Sequence, residues 1–273
     1  MTGSPGAFHE FEHAGWEQAA TEYDRRFGEL TMQSIGPLLD AAGAAPGLRL
    51  LDVACGPGYV AAAAARKGSS VVGVDFSSAM VTMARAANPE LQFQEGDAEK
   101  LDLPDCSFDA VVMNFGMLHL EHPESAIAEA FRVLRPGGRY AFTVWDVPGK
   151  AVAFGIILQS IQSCGNMDVP MPEGPPFFRF SDPEESRRTL TAQGFVNVQT
   201  LQVPQSWMLE SGEALLATFR TAAVRTAALL NAQTPAALKK IQAEILTRTE
   251  AFRVDDSITL PMPAILASAL RPR

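Results

Sequence analysis

Short apolar runs of strand length alternate with segments whose apolar residues recur every three or four positions. Leu48 to Val53, Ser70 to Asp75, Leu91 to Glu95, Ser107 to Met113 and Arg139 to Trp145 have the length and pattern of strands. Between them, Val60 to Arg66, the segment opened by Ser77, and the stripe Ala126, Ile127, Ala130, Phe131 and Leu134 have the helical period. Such alternation predicts βαβ units and a mostly parallel sheet, an α/β fold. Ahead of the first strand, Trp16, Ala19, Ala20, Tyr23 and Phe27 predict an amphipathic helix over 14–28 with an aromatic face. A second helix is predicted over 31–42, ending at Gly43, and residues 1–12 read as irregular.

The pattern changes over 146–180, which holds Pro148, Pro170, Pro172, Pro175, Pro176, a helix-like 152–161 and the apolar pair Phe177-Phe178. This stretch reads as an inserted cap that shapes a pocket. A helix is predicted from Asp182 to about Gln193, a sixth strand over 195–201, mostly helix over 211–253, and a seventh strand over 259–270.

Composition narrows the class. The chain has 273 residues, 47% hydrophobic and 19% charged, a globular balance. A net charge of −9 repels a phosphate backbone or an anionic membrane, and the basic pairs Arg25-Arg26, Arg187-Arg188 and Lys239-Lys240 are isolated, so nucleic acid is not expected as a partner. Three widely spaced cysteines, at 55, 106 and 164, suggest neither a disulfide framework nor a metal site. With no signal-like N-terminus and no long uncharged apolar run, a cytoplasmic protein without stable membrane insertion is expected, as a monomer or homodimer.

Candidate chemistry concentrates at Leu50-Leu51-Asp52-Val53-Ala54-Cys55-Gly56-Pro57-Gly58, where a strand runs through a two-glycine turn into a helix. Gly56 and Gly58 let a ligand approach the backbone, beside the free N–H groups of the helix start. Asp52, at the strand's carboxyl end, would repel a pyrophosphate and attract a ligand carrying an ammonium and a sulfonium. Asp75 ends the second strand, where a carboxylate can accept both hydroxyls of a ribose. Ser77 is a candidate helix cap, and Met80 either reaches an adenine face or fills the core.

Asp52-Val53-Ala54-Cys55-Gly56-Pro57-Gly58 resembles the first motif of the class I S-adenosylmethionine-dependent methyltransferases. Gly96-Asp97-Ala98-Glu99 and Val133-Leu134-Arg135-Pro136-Gly137-Gly138 are similar to later motifs of that family, and the likeness over 14–145 is to its small-molecule branch, which includes quinone-biosynthesis enzymes. The resemblance implies a Rossmann-like, seven-stranded, mostly parallel sheet with helices on both faces, an N-terminal helical lid and an inserted cap. It divides one domain into a lid over 1–45, a cofactor-binding core over 46–145, a cap and helix over 146–194, and 195–273 completing the sheet.

The implied cofactor is S-adenosyl-L-methionine, with S-adenosyl-L-homocysteine as product. Its contacts would be Tyr23, Asp52, Ala54, Gly56, Gly58, Asp75, Phe76, Met80, Gly96, Asp97, Ala98, Glu99, Asn114 and Phe115. Trp16, Phe27, Met117, Phe177 and Phe178 are the candidate substrate pocket. The activity implied is in-line methyl transfer to a carbon or oxygen of a small organic molecule, with His119 the one candidate base. After the fourth strand stands Asn114-Phe115-Gly116-Met117 rather than the Asn/Asp-Pro-Pro-Tyr of methylases that act on amino groups of adenine or glutamine.

Two other classes remain. Gly56-x-Gly58-x-x-Ala61 also satisfies a relaxed dinucleotide fingerprint, so an NAD(P)-dependent oxidoreductase is the main alternative, though no Tyr-x-x-x-Lys relay accompanies it. A protein that binds S-adenosylmethionine without transferring its methyl group is the other.

Overall fold

The computed structural model describes residues 6–273. In chain order the helices and strands are α1 (Ala7–Met32), α2 (Ile35–Ala41), β1 (Arg49–Val53), α3 (Tyr59–Arg66), β2 (Ser70–Asp75), α4 (Ser78–Ala87), β3 (Gln92–Glu95), β4 (Phe108–Asn114), α5 (Pro123–Val133) and β5 (Leu134–Trp145). There follow α6 (Val152–Cys164), α7 (Pro183–Ala192), β6 (Val196–Val203), β7 (Ser206–Leu209), α8 (Gly212–Thr221), α9 (Arg225–Asn231), α10 (Pro235–Thr249), β8 (Arg253–Val254), β9 (Ser257–Pro261) and β10 (Ala264–Leu270).

Seven strands form one sheet in the order β3-β2-β1-β4-β5-β10-β6. The first five are parallel, and β10 runs antiparallel to both β5 and β6. β1, β4 and the 140–145 part of β5 are nearly continuous buried runs because both faces of the sheet are covered. From β1 the chain steps outward through α3 and α4 in one direction, then returns to β4 and steps the other way through α5. Right-handed crossovers therefore put α3 and α4 on one face and α5 on the other. This is the mostly parallel, seven-stranded Rossmann-like sheet that the resemblance implied.

Contacts group the chain into two compact units. The sheet unit contains 31–145, 174–203 and 264–273; the other contains the N-terminal residues to 30 with 146–173 and 204–263. These groupings cut across the expected segments. Of 195–273, only β6 and β10 enter the seven-stranded sheet, and of the expected cap, 174–180 groups with the sheet and 146–173 does not.

Several element ends differ from expectation. Residues 7–12, read as irregular, are the first turns of α1, because Phe8 and Glu12 are buried in the helical unit; residues 1–5 of that segment lie outside the described residues. The expected long seventh strand is two strands: Pro261 and Pro263 bracket Met262, and neither proline can donate to a ladder. Its first part, β9, joins β7 and β8 in a separate three-stranded sheet. Arg135-Pro136-Gly137-Gly138, which lies between the helical stripe ending at Leu134 and the strand predicted from Arg139, is a bulge within β5: Leu134 pairs with Phe108, and pairing resumes at Arg139 with Ala110.

Local sequence sets the helix starts. Ser77 Oγ accepts the Met80 N–H (3.2 Å), and the Asp182 side chain accepts the Glu184 N–H (3.0 Å) ahead of Pro183. Ser211 and Thr234 cap α8 and α10 in the same way, Thr234 again followed by proline.

Candidate active site

Strand order reverses between β1 and β4, which places a crevice outside their carboxyl ends. Two non-glycine residues there have left-handed backbone, Ala54 just after β1 (φ 53°) and Phe115 just after β4 (φ 57°). A Cβ on Gly116 would fall 2.6 Å from Ala54 Cβ, so the Ala54 methyl lies close against the Gly116 backbone where the two strands end. Strain held by a well-packed sheet at a switch point is a mark of a functional site.

The glycine turn is fastened by Asp75. One carboxylate oxygen accepts the Gly56 N–H (2.8 Å) and the other the Ser77 N–H (2.9 Å), joining the turn after β1 to the loop after β2. The two glycines serve different ends. A Cβ on Gly58 (φ 87°) would meet Phe93 Cζ at 3.0 Å and Ala84 Cβ at 3.2 Å, a packing requirement. A Cβ on Gly56 (φ 52°) would meet nothing nearer than Met80 Sδ at 4.0 Å, so the backbone is open on that side. A cofactor can lie against the turn at Gly56.

Asp52 is placed differently from the charged group read from the sequence. Its side chain is fully enclosed: Oδ2 accepts the Ala61 N–H of α3 (3.0 Å), and Oδ1 has no hydrogen-bond partner. Burial pushes its carboxyl up to about 8, with Asp75 adding to the rise and the Ala61 bond opposing it. Burial thus favours the uncharged carboxyl, and the enclosed side chain does not present an open charge to a ligand as expected from the sequence.

The remaining candidates in the sheet unit divide by what holds them. Phe76 is half-buried beside Asp75, and Met80 is buried. Gly96 leaves the Val74 side chain its room, since a Cβ there would lie 2.8 Å from Val74 Cγ1. Asp97 Oδ1 accepts the Glu99 N–H (2.8 Å), capping the loop around the buried Ala98. Glu99 accepts both the His122 backbone N–H (2.7 Å) and a contact from His122 Nδ1 (3.0 Å). The Asn114 amide is taken up by the scaffold: Oδ1 accepts the hydroxyls of Ser34 (2.8 Å) and Thr143 (2.5 Å), and Nδ2 donates to the Thr31 carbonyl (3.1 Å).

Phe115 stacks on Trp145, with ring centroids 4.0 Å apart. Met117 and His119 follow in a 3-10 turn, Met117 buried and His119 half-buried. The His119 ring meets Phe177 edge-on at 5.9 Å, and Phe177 packs on Phe178 at 4.9 Å. The sheet unit thus brings together the turn, Asp75, the 96–99 loop, Asn114 to His119, and Phe177-Phe178.

Trp16, Tyr23 and Phe27 lie in the other unit. Their rings run along α1, Trp16 to Tyr23 at 5.3 Å and Tyr23 to Phe27 at 5.9 Å. Phe27 is buried against Trp207 (4.9 Å) and Phe219 (5.7 Å), as part of that unit's core. Sequence reading missed Thr143, Ser34 and Trp145, which orient Asn114 and Phe115. Trp145 had a signal, its place at the carboxyl end of the fifth strand; the two hydroxyls had none. Among the described residues no cluster of three or more His, Cys, Asp or Glu is arranged to hold a metal, and no helix is long and apolar enough to cross a membrane.

Residues 51–142, which span this site from β1 into β5, match the family described as a methyltransferase domain. The demethylmenaquinone methyltransferases of Beutenbergia cavernae and Renibacterium salmoninarum are 41% and 40% identical over 125 and 111 residues, or 45% and 41% of this chain and 52% and 47% of theirs. The chain spans about half the length of the curated relatives it matches. YcgJ of Bacillus subtilis has a similar fold, with TM-score 0.57 and 20% identity over 88% of this chain and 98% of that one. So does phosphoethanolamine N-methyltransferase 2 of Haemonchus contortus, solved with S-adenosylhomocysteine, with TM-score 0.59 and 18% identity over 98% of this chain and 61% of that one. The [4+2]-cyclase SpnF is similar too, at TM-score 0.55 and 23% identity over 88% of this chain and 80% of that one. Over residues 51–142 the chain is therefore similar to a methyltransferase domain, and its fold resembles those solved chains over most of its length.

Proposed function

We propose that the protein transfers a methyl group from S-adenosyl-L-methionine to a carbon or oxygen of a small organic molecule. The observation that carries this reading is the turn at Gly56, open on one side, its N–H held by Asp75, whose other oxygen holds the Ser77 N–H, and placed at the switch point inside the methyltransferase-matched segment. When bound, S-adenosylmethionine supplies a methyl already activated on a sulfonium, and its displacement leaves S-adenosylhomocysteine.

The chain's own residues bind, orient and enclose. The turn receives the cofactor against backbone, Asp75 offers carboxylate oxygens at the ribose position, and the capped 96–99 loop borders the adenine position. In-line displacement asks chiefly that the acceptor atom be held roughly 3 Å from the methyl carbon, on the side away from sulfur, with water excluded. His119, on the 3-10 turn after β4, takes the acceptor's proton when that acceptor is a hydroxyl. A net charge of −9 favours a small substrate over nucleic acid, and a cytoplasmic setting fits three unpaired cysteines.

The likeness to a [4+2]-cyclase keeps fold and chemistry apart as arguments, since one scaffold hosts several reactions. Calorimetry decides the cofactor. S-adenosylhomocysteine is expected to bind the native chain, and Asp75→Ala to abolish that binding while circular dichroism still shows a folded protein. Tight binding of NADH with no response to S-adenosylhomocysteine would sink the reading in favour of an oxidoreductase.

A further inference from the structure

The loop carrying His119 is held from two sides. At its far end the His122 backbone and ring are bound by Glu99. Two residues on, Glu124 in the first turn of α5 pairs with Arg179, whose Nε also donates to Glu185 of α7 (2.6 Å). Arg179 lies two residues past Phe177, the ring that meets His119. The Arg179 side chain is only 20% exposed and stands over the Phe180 ring at 5.0 Å; its guanidinium holds the Glu124 carboxyl below the usual carboxylate range, and Arg188 together with Arg179 does the same for Glu185. The chain thereby forms a closed circuit: His119, through the loop to Glu124, across to Arg179, and back through Phe178 to Phe177.

Neither a short surface ion pair nor the edge of one phenyl ring would fix an imidazole by itself. A planar guanidinium bridging two carboxylates on two different helices, partly shielded from solvent, has the geometry to do so. We propose that Arg179 is a positioning residue, which holds Phe177 edge-on against His119 and so sets the orientation of the imidazole presented to the methyl acceptor. The proposal rests on the function given above for its purpose. The contact it asserts, however, can be read without any ligand.

The test uses the unliganded full chain and the His119 side-chain resonances, assigned by their loss in His119→Ala. The proton on the ring carbon between the two nitrogens feels the ring current of Phe177, so F177A moves its signal. R179A is expected to move it in the same direction and by a similar amount, R179K to restore it only in part because an ammonium cannot fork to two carboxylates, and the exchange of charges in R179E with E124R to recover part of the shift. A His119 signal left in place by R179A, or moved by R179A but not by F177A, overturns the proposal. Should R179A fail to fold, E124Q removes one arm of the bridge, and an unmoved His119 signal there overturns it equally. S-adenosylhomocysteine binding, measured in parallel, stays within about twofold of native in the folded variants, since the bridge is remote from the Gly56 turn in sequence and bonding. Absence of that binding in the native chain would defeat the methyltransferase reading while leaving the resonance result intact.

Discussion

At the scale of single residues, Asp52 carries the clearest pH signature. Its carboxyl rises from 3.8 to about 8 on folding. Between those values the folded chain holds a proton that the unfolded chain has lost. Stability therefore falls as pH rises through that window, by up to about 1.4 kcal/mol per unit. Asp52→Asn keeps an acceptor for the Ala61 N–H and removes the ionisation, so urea midpoints measured between pH 4 and 8 should flatten relative to native. Parallel midpoint curves for the two proteins would remove the buried proton from the account. The two turn glycines are also separable. Gly58→Ala meets Phe93 and adopts a strained φ, for a stability cost of about 1–3 kcal/mol. Gly56→Ala strains the backbone but meets no neighbour, so it should melt closer to native and lose S-adenosylhomocysteine affinity more than stability. Equal melting losses in the two variants would contradict this division.

Legibility at this scale followed chemistry that is local in sequence. Ser77 and the glycine turn act on residues close along the chain, and the sequence showed them; the bonds of Asp75 to the Gly56 and Ser77 N–H groups cross one βαβ unit and were not foreseen. Asp52 was visible as a residue but misread in its environment, because burial by both neighbouring strands and α3 is a tertiary fact that charge alone does not reveal.

Whole elements were legible wherever a period or a cap announced them. α4 and α7 begin at Ser77 and Asp182 as expected, whereas the stretch read as mostly helix over 211–253 is three helices, of which α8 and α10 start at the caps Ser211 and Thr234. α1 began earlier than its aromatic stripe suggested because of a polar contact. Glu12 is fully buried and accepts from Arg225 Nε at 2.7 Å, and that arginine also lies over the Phe8 ring at 4.3 Å. An acidic residue that looks like surface in the sequence is here inside the helical unit. Glu12→Ala should cost roughly 3–5 kcal/mol by leaving the Arg225 charge without its carboxylate, whereas Glu12→Leu with Arg225→Met should recover most of it. Thermal melts of the three chains check this; a single variant as stable as native would show the pair to be dispensable.

For the molecule as a whole, the parallel half of the sheet could be read from alternation, since β1–β2, β2–β3 and β4–β5 each pair strands consecutive in sequence and only β1–β4 spans a longer stretch. The two compact units could not, because each gathers three distant stretches, and nothing in the local pattern marks 204–263 as separate from the strands on either side. Ligand linkage gives a global check. At about a hundred times its dissociation constant, S-adenosylhomocysteine should stabilise the chain by about 2.7 kcal/mol, a rise of roughly 5 °C in Tm. Hydrogen exchange should slow most at residues 54–58, 75–77 and 96–99. Protection elsewhere with none at these positions would place the ligand outside the switch point.

The position of β10 between β5 and β6 has a consequence for biosynthesis. Residues 264–270 leave the ribosome after the other strands of this sheet, yet they supply the inner partner for residues 139–145 and 196–203. Until they emerge, a nascent chain carries β5 with one ladder unsatisfied and β6 with no partner in the sheet. Both are templates for mispairing with another chain. Closure of the sheet thus waits on residues 264–270, and a stalled chain ending before Ala264 would be the form most in need of a chaperone.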